Sequence, residues 1–323
     1  MQTAGGRTTD RTLVIAIGGN SLIKDPRHLS ESDQYRALTE TSARIAPIVR
    51  DGWRVAIGHG NGPQVGFVLR RSELAAGELP EVPLDVCDAE TQGSIGYELQ
   101  QTLGNAFRRL GIDRQAVTVV TQVEVDPADP AFGAPSKPIG SFMDRATAIR
   151  RRDEDGWVVR EDAGRGWRRV VASPRPLRIV EEAAVTALLG RGFVVITVGG
   201  GGIPVVADEQ GHLRGIAAVI DKDHASALLA SVVGADVFVI STAVERVALD
   251  WGRPGQRPVD RLTVSEARRY LAEGVHFAPG SMAPKIEACI DFLERGGAEA
   301  VITSPDNLGL ALLGRAGTHI VRD

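Results

Sequence analysis

Short apolar runs that end abruptly in glycine mark this chain from its start. Leu13-Val-Ile-Ala-Ile17 runs into Gly18-Gly19-Asn20-Ser21, and Arg54-Val-Ala-Ile57 into Gly58-His59-Gly60-Asn61-Gly62-Pro63. A third, Phe193-Val-Val-Ile-Thr-Val198, runs into Gly199-Gly200-Gly201-Gly202. Runs rich in β-branched residues and without polar alternation predict strands buried on both faces, hence a parallel sheet covered by helices. Further strands are predicted at 117–121, 237–241 and 300–303.

Helical spacing fills the intervals. Ser30 with Asp33 resembles a capping box, and Tyr35, Leu38, Ser42, Ile45 and Val49 follow at helical spacing. A second helix opens at Gly62-Pro63, and a third covers 93–110 and closes at Gly111. Others are predicted at 180–189, 223–233, 265–271, 282–295 and 306–313. This alternation gives a doubly wound α/β architecture, in which ligands bind beyond the carboxyl ends of the strands. All three glycine turns sit at such ends.

One stretch breaks the rhythm. Asp126 to Pro138 holds four prolines, too many for a helix or a central strand. A short helical piece follows, then Trp157-Val-Val159 and Trp167-Arg-Arg-Val-Val171 around the turn at 162–166. The pattern reads as a hairpin-bearing insertion of about 50 residues, a candidate lid.

Composition narrows the class. A chain of 323 residues passes the size at which single cores stop growing, so two lobes in close contact are expected. Charged residues make up 24% and the net charge is −4, which gives no reason to expect nucleic acid or anionic membrane as a partner. Cys87 and Cys289 are too few for a disulfide framework or a cysteine zinc site. The first apolar run is too short for a signal-peptide core or a membrane span, so a cytoplasmic location is expected.

Glycine turns between strand and helix expose backbone N–H groups to anions. The sequence has no G-x-x-x-x-G-K-[ST], and Pro204 stands where a G-x-G-x-x-G would need its third glycine. It also lacks the H-R-D loop of protein kinases and the G-x-S-x-G elbow of hydrolases. His59, His224 and His276 adjoin the motifs without metal-ligand spacing, so packing and hydrogen bonding are their expected roles, and no protein metal site is predicted.

Phosphate handling of another kind remains, and it needs cations along the path of the migrating group. Of 37 Lys plus Arg residues only four are lysine: Lys24, Lys137, Lys222 and Lys285. In a chain so biased to arginine, lysine marks places where a compact, rotatable ammonium is needed. Lys137 follows the proline-rich stretch, while Lys222 and Lys285 stand at predicted helix starts, where the dipole also favours phosphate. Lys24, outside any glycine turn, is assigned to the surface.

The motifs together resemble those of the carbamate kinases within the amino acid kinase family. The matching segments run in order through Ile17-Gly-Gly-Asn20, His59-Gly-Asn-Gly-Pro-Gln-Val-Gly66, Thr91-Gln-Gly-Ser-Ile-Gly-Tyr97 and Thr121-Gln-Val-Glu-Val-Asp126. They continue through Asp129-Pro-Ala-Phe132, Lys137-Pro-Ile-Gly140, Gly164-Arg-Gly-Trp-Arg-Arg-Val-Val171 and Gly199-Gly-Gly-Gly-Ile-Pro204. Ala218-Val-Ile-Asp-Lys-Asp223, His276-Phe-Ala-Pro-Gly-Ser-Met282 and Pro284-Lys285 complete the set. The chain departs from the usual pattern at Ser21, Ser141, Met143 and Ala283, where Ala, Pro, Tyr and Gly are common.

The resemblance implies a three-layer αβα sandwich around a mainly parallel open sheet, with a small protruding hairpin-bearing subdomain, working as a homodimer. Residues 10–218 would form the carbamate or carbamoyl phosphate lobe, with the lid at about 126–176. Residues 219–323 would form the lobe for ATP or ADP with Mg²⁺. Gly18, Gly19 and Asn20 would bind the transferring phosphoryl group, and Asn61, Gly62, Gly199 and Gly200 would line the acceptor pocket. Lys137, Lys222 and Lys285 would neutralise phosphate, with Asp223 holding the lysines. Ser241, Thr242, Ala243, Val244, Trp251 and Met282 would border the nucleotide. Two rival readings are a kinase of the same family acting on a carboxylate such as N-acetylglutamate, and a non-catalytic nucleotide- or oxyanion-binding protein on this fold.

Overall fold

Six consecutive residues of the first strand are fully or nearly fully buried, and their alternation builds the layers. In a strand successive side chains point to opposite faces. Leu13, Ile15 and Ile17 pack with Leu38, Ile45, Leu99 and Leu103 on one side. Val14 and Ala16 pack with Val185, Leu229, Ile290 and Phe292 on the other. The sheet is therefore the middle layer of three. The computed structural model describes residues 11–19, 22, 30–161, 166–278 and 280–323. The expected roles of Asn20 and Lys24, the departure at Ser21 and most of the turn at 162–166 lie outside these residues.

In chain order the first elements are β1 (Thr12–Ile17), α1 (Glu31–Arg50), β2 (Arg54–His59), α2 (Gln64–Ala75) and α3 (Leu84–Leu110). There follow β3 (Ala116–Thr118), β4 (Gln122–Val125), β5 (Lys137–Met143), α4 (Arg145–Asp155), β6 (Val159–Glu161) and β7 (Trp167–Val171). Next come β8 (Pro176–Ile179), α5 (Glu182–Gly190), β9 (Val194–Ile196), β10 (Ile203–Ala207), β11 (Leu213–Gly215) and α6 (Lys222–Val232). After α6 lie β12 (Val237–Ser241), β13 (Ala248–Leu249), β14 (Arg257–Pro258), β15 (Arg261–Thr263) and α7 (Val264–Glu273). The chain ends with α8 (Met282–Glu294), β16 (Glu299–Thr303), α9 (Leu308–Leu312) and β17 (Thr318–Val321).

The main sheet has eight strands in the order β15-β17-β16-β12-β1-β2-β9-β3. Its neighbours are parallel except for the β16–β17 pair. The strands β1, β2 and β9, which carry the glycine turns, are adjacent, with β12 next to β1. Their carboxyl ends thus form one ledge. The sheet also runs without a break across residue 218, because β1 pairs with β12.

Several elements differ from expectation for identifiable reasons. Helix α3 starts at Leu84 rather than near 93, because its first turns carry Asp88, Thr91 and Gln92 on the buried face and so hide the apolar period. The four-stranded sheet β11-β10-β4-β8 was not apparent, since its strands are three to five residues long. In the insertion, β6 and β7 form the expected antiparallel pair, but β5 also joins them, with an irregularity between Ile139 and Met143 that accommodates Gly140 at φ 70°. At α1, Ser30 Oγ accepts from Asp33 N–H, giving half of the expected box. A full capping box instead joins Thr263 and Glu266 at α7.

Candidate active site

The ledge is built by close approach of backbone to side chains. A Cβ at Gly199 would stand 2.3 Å from His59 Nε2, and one at Gly200 would stand 2.4 Å from Asn61 Nδ2. Only glycine lets the third turn lie against the second. Helix α3 clamps it from outside: Gln92 Nε2 donates to Gly199 O at 3.0 Å and to Thr121 O at 3.1 Å. Asn61 Nδ2 donates to Asp88 Oδ1 at 2.8 Å, which fixes the amide at the pocket wall. Burial pushes the Asp88 pKa well above the carboxylate range, with only the Asn61 hydrogen bond opposing it. Its neutral form is thereby favoured. His59, 1% exposed, is held neutral because burial pushes its pKa down to about 4. Its Nδ1 meets Gly60 O at 2.9 Å and so carries the proton.

Two pockets open on the ledge. One, of about 200 Å³, is lined by Gly19, Asn61, Gly62, Gly200, Lys137 and Lys222. The other, of about 190 Å³, is lined by Thr242, Ala243, Val244, Trp251, Met282 and Lys285. Between them lies one carboxylate. Lys285 Nζ donates to Asp223 Oδ2 at 2.6 Å, and Lys222 Nζ lies 3.1 Å from Oδ1. Asp223 is 2% exposed. Its burial alone would raise its pKa, but Lys222 and Lys285 outweigh that and hold it low. Burial lowers the Lys285 pKa against the pull of Asp223. For Lys222 the two neighbouring aspartates overcome burial and raise it.

Lys137 arrives from the insertion. Its Nζ donates to Asp221 Oδ2 at 2.7 Å, not to Asp223. The expectation that Asp223 holds all the lysines is thus corrected: the carboxylate two residues earlier takes the third, because Lys137 enters on β5 from the open side. Asp221 also caps α6, its Oδ1 accepting from Asp223 N–H at 2.9 Å. Gly18 needs a second correction. Its N–H donates to Ser241 O at 3.0 Å, so it is engaged by the end of β12 and unavailable to phosphate. Ser241 is buried beneath the nucleotide pocket rather than lining it.

Sequence reasoning missed Asp221, Asp88 and Gln92 as parts of the site. The available signal was polar side chains at the buried spacing of α3, where apolar residues would otherwise be required. Among the described residues, no three His, Cys, Asp or Glu side chains converge as a metal site, and no helix is long and apolar enough to cross a membrane.

Residues 11–304 match the model of the amino acid kinase family. The chain belongs to that family. Among known family members and solved structures, the chain is similar to the carbamate kinase-like protein YahI of Escherichia coli, with 49% identity over 96% of this chain and 98% of that one. It is 46% identical to the carbamate kinase of Thermococcus kodakarensis over 97% of this chain and 100% of that one. The solved carbamate kinase of Giardia lamblia bound to AMP-PNP superposes with a TM-score of 0.91 at 39% identity, covering 98% of this chain and 100% of that chain. The family's fold thus accounts for the whole architecture, including the mainly parallel sheet.

Proposed function

We propose that the chain is a carbamate kinase, catalysing reversible phosphoryl transfer between ATP and carbamate to give ADP and carbamoyl phosphate. The observation that carries this reading is the Lys222–Asp223–Lys285 cluster, with one ammonium lining each pocket and a shared buried carboxylate between them. A group passing from one pocket to the other would be in contact with positive charge throughout. The near-full-length likeness to carbamate kinases favours carbamate as the acceptor over a longer carboxylate. The 200 Å³ pocket is also small.

In the forward direction a carbamate oxygen attacks the γ-phosphorus, the bond to the ADP oxygen breaks, and ADP leaves. Carbamate arrives as an anion, so no proton has to be removed from it. Catalysis then rests on positioning and charge neutralisation. Gly19, Asn61, Gly62 and Gly200 seat the acceptor, Lys137 closes over it, and Thr242, Ala243, Val244, Trp251 and Met282 border the nucleotide. Mg²⁺ carried on the nucleotide oxygens would neutralise phosphate charge. This fits a site whose two aspartates are already paired with lysines. Residues 10–218, with the lid at 126–176, form the acceptor lobe and residues 219–323 the nucleotide lobe. Exposed Tyr97, Leu110 and Val120 offer apolar surface for a second copy in a homodimer, which sedimentation would test. A cytoplasmic location suits such an enzyme.

Purified protein given carbamoyl phosphate, ADP and Mg²⁺ is expected to form ATP. Failure to do so, with N-acetylglutamate instead supporting ATP consumption, would overturn the reading.

A further inference from the structure

A cavity of about 420 Å³ lies outside the ledge, between α2 and the lid subdomain. That is ample for a small molecule. It shares only Ile139 with the lysine pocket. Leu69, Ile139, Phe142 and Met143 give it an apolar side. Its charged lining is unevenly satisfied. Arg70 pairs with Glu73 at 3.1 Å, and Arg151 with Asp155 at 2.8 Å. Arg150 reaches Glu154 only at 4.0 Å. Asp144 is engaged as the cap of α4, accepting from Thr147 N–H at 2.7 Å.

Arg169 differs from the others. It is half-buried on β7 with its guanidinium 4.8 Å from the centre of the Trp157 ring. Among the described residues no carboxylate lies within ion-pair distance of it. Burial weakens its hold on the proton, while Glu73 across the cavity partly restores it. A half-buried cation stacked on an indole and open to a cavity with one apolar side suits an oxyanion carried on a compact apolar body.

We infer that this cavity is a binding site for a small amphipathic anion, with a carboxylate or phosphate at Arg169 and an apolar or aromatic body against Leu69, Phe142 and Met143. The site communicates with Lys137 along β5. A Cβ at Gly66 of α2 would stand 2.6 Å from Gly140 Cα, so helix and strand touch backbone to backbone beside the cavity. Lys137 lies three residues up the same strand. An occupant therefore changes how β5 rests on α2, and with it the position of Lys137.

Phenylacetate and phenyl phosphate serve as probes, titrated by calorimetry and by fluorescence, with Trp157→Phe identifying the responding indole. At least one probe is expected to bind saturably with carbamoyl phosphate present in excess. Arg169→Gln should weaken that binding about tenfold or more, as expected for a charge-assisted pair. Met143→Glu, which places a carboxylate in the cavity, should abolish it while the thermal midpoint holds. Absence of saturable binding at millimolar concentration, displacement by carbamoyl phosphate, or undiminished affinity in both variants would overturn the inference. These measurements read heat and fluorescence rather than turnover, so they stand apart from the kinase reading.

Discussion

Asp223 and Asp221 stand two residues apart and anchor the same kind of side chain, yet in opposite settings. Asp223 is enclosed and shared between Lys222 and Lys285, both on the rigid helices α6 and α8. Asp221 faces the open side, and its side chain is 20% exposed where it meets Lys137, itself 32% exposed. The first arrangement is preorganised, with its two ammonium groups fixed before any substrate arrives. The second depends on where the insertion lies. One site thus combines an enclosed part with a more exposed part carried on the insertion, and a lid there would suit a reaction that must exclude water yet release both products.

The largest effect is expected at the enclosed carboxylate. Asp223→Ala leaves two part-buried ammonium groups without their buried counter-charge, and breaking such a cluster costs up to roughly 3–5 kcal/mol. Turnover should fall by more than ~10² and the thermal midpoint should drop clearly. An unchanged midpoint would show that the cluster is not the structural unit described. Next come the lysines. Lys222→Ala, Lys285→Ala and Lys137→Ala should each lower kcat by ~10²–10³, the range for removing a transition-state donor. They should differ in binding: Lys285→Ala raises KM for ADP, and Lys222→Ala raises KM for carbamoyl phosphate. Lys137→Ala should lower the midpoint least of the three, because its ion pair with Asp221 is the more exposed one. Equal KM effects at Lys222 and Lys285 would remove the assignment of one lysine to each pocket.

Acid separates the enclosed part by a different route. His59 has its pKa pushed down to about 4 by burial, so the unfolded chain binds its proton first. The His59 contribution to stability should therefore rise with pH between about 4 and 6.5, by an amount on the order of 3 kcal/mol, against the opposite contribution of the raised Asp88 carboxyl. The depressed carboxylates Asp221 and Asp223 contribute above the usual carboxylate range, and that contribution is lost only in strong acid. Thermal midpoints of wild type and His59→Gln measured from pH 4 to 7 check the sign. Parallel curves would show that His59 is not the residue responsible.

How much of this was legible beforehand follows from what each feature needs. The runs at 13–17, 55–57 and 237–240 announce their strands because both faces are buried, so every position is apolar. The lysines announced themselves through rarity. The layer that orients the pocket left a weaker trace, because Asp88, Thr91 and Gln92 look like surface residues until the helix is known to be buried. Asp221 was hidden for another reason. Its ion pair with Lys137 spans 84 residues, and nothing local distinguishes it from Asp223.

The smallest effect is expected at Asp221, where the comparison is sharpest. Its carboxylate does two jobs: Oδ2 receives Lys137 at 2.7 Å, and Oδ1 caps α6 by accepting from Asp223 N–H at 2.9 Å. Asparagine can still cap a helix but offers no charge to a lysine, whereas alanine can do neither. Asp221→Asn should therefore keep the cap, lower the midpoint less than Asp223→Ala does, and lose about tenfold in turnover, the scale of one partly exposed charged hydrogen bond. Asp221→Ala should show the same kinetic loss plus about 1 kcal/mol of destabilisation from the lost cap. The kinetic loss should vanish in a Lys137→Ala background, since the carboxylate would then have no lysine to place. If Asp221→Asn instead matches Asp223→Ala in both turnover and midpoint, the two carboxylates form one rigid unit, and Lys137 is as permanent a part of the site as Lys222 and Lys285.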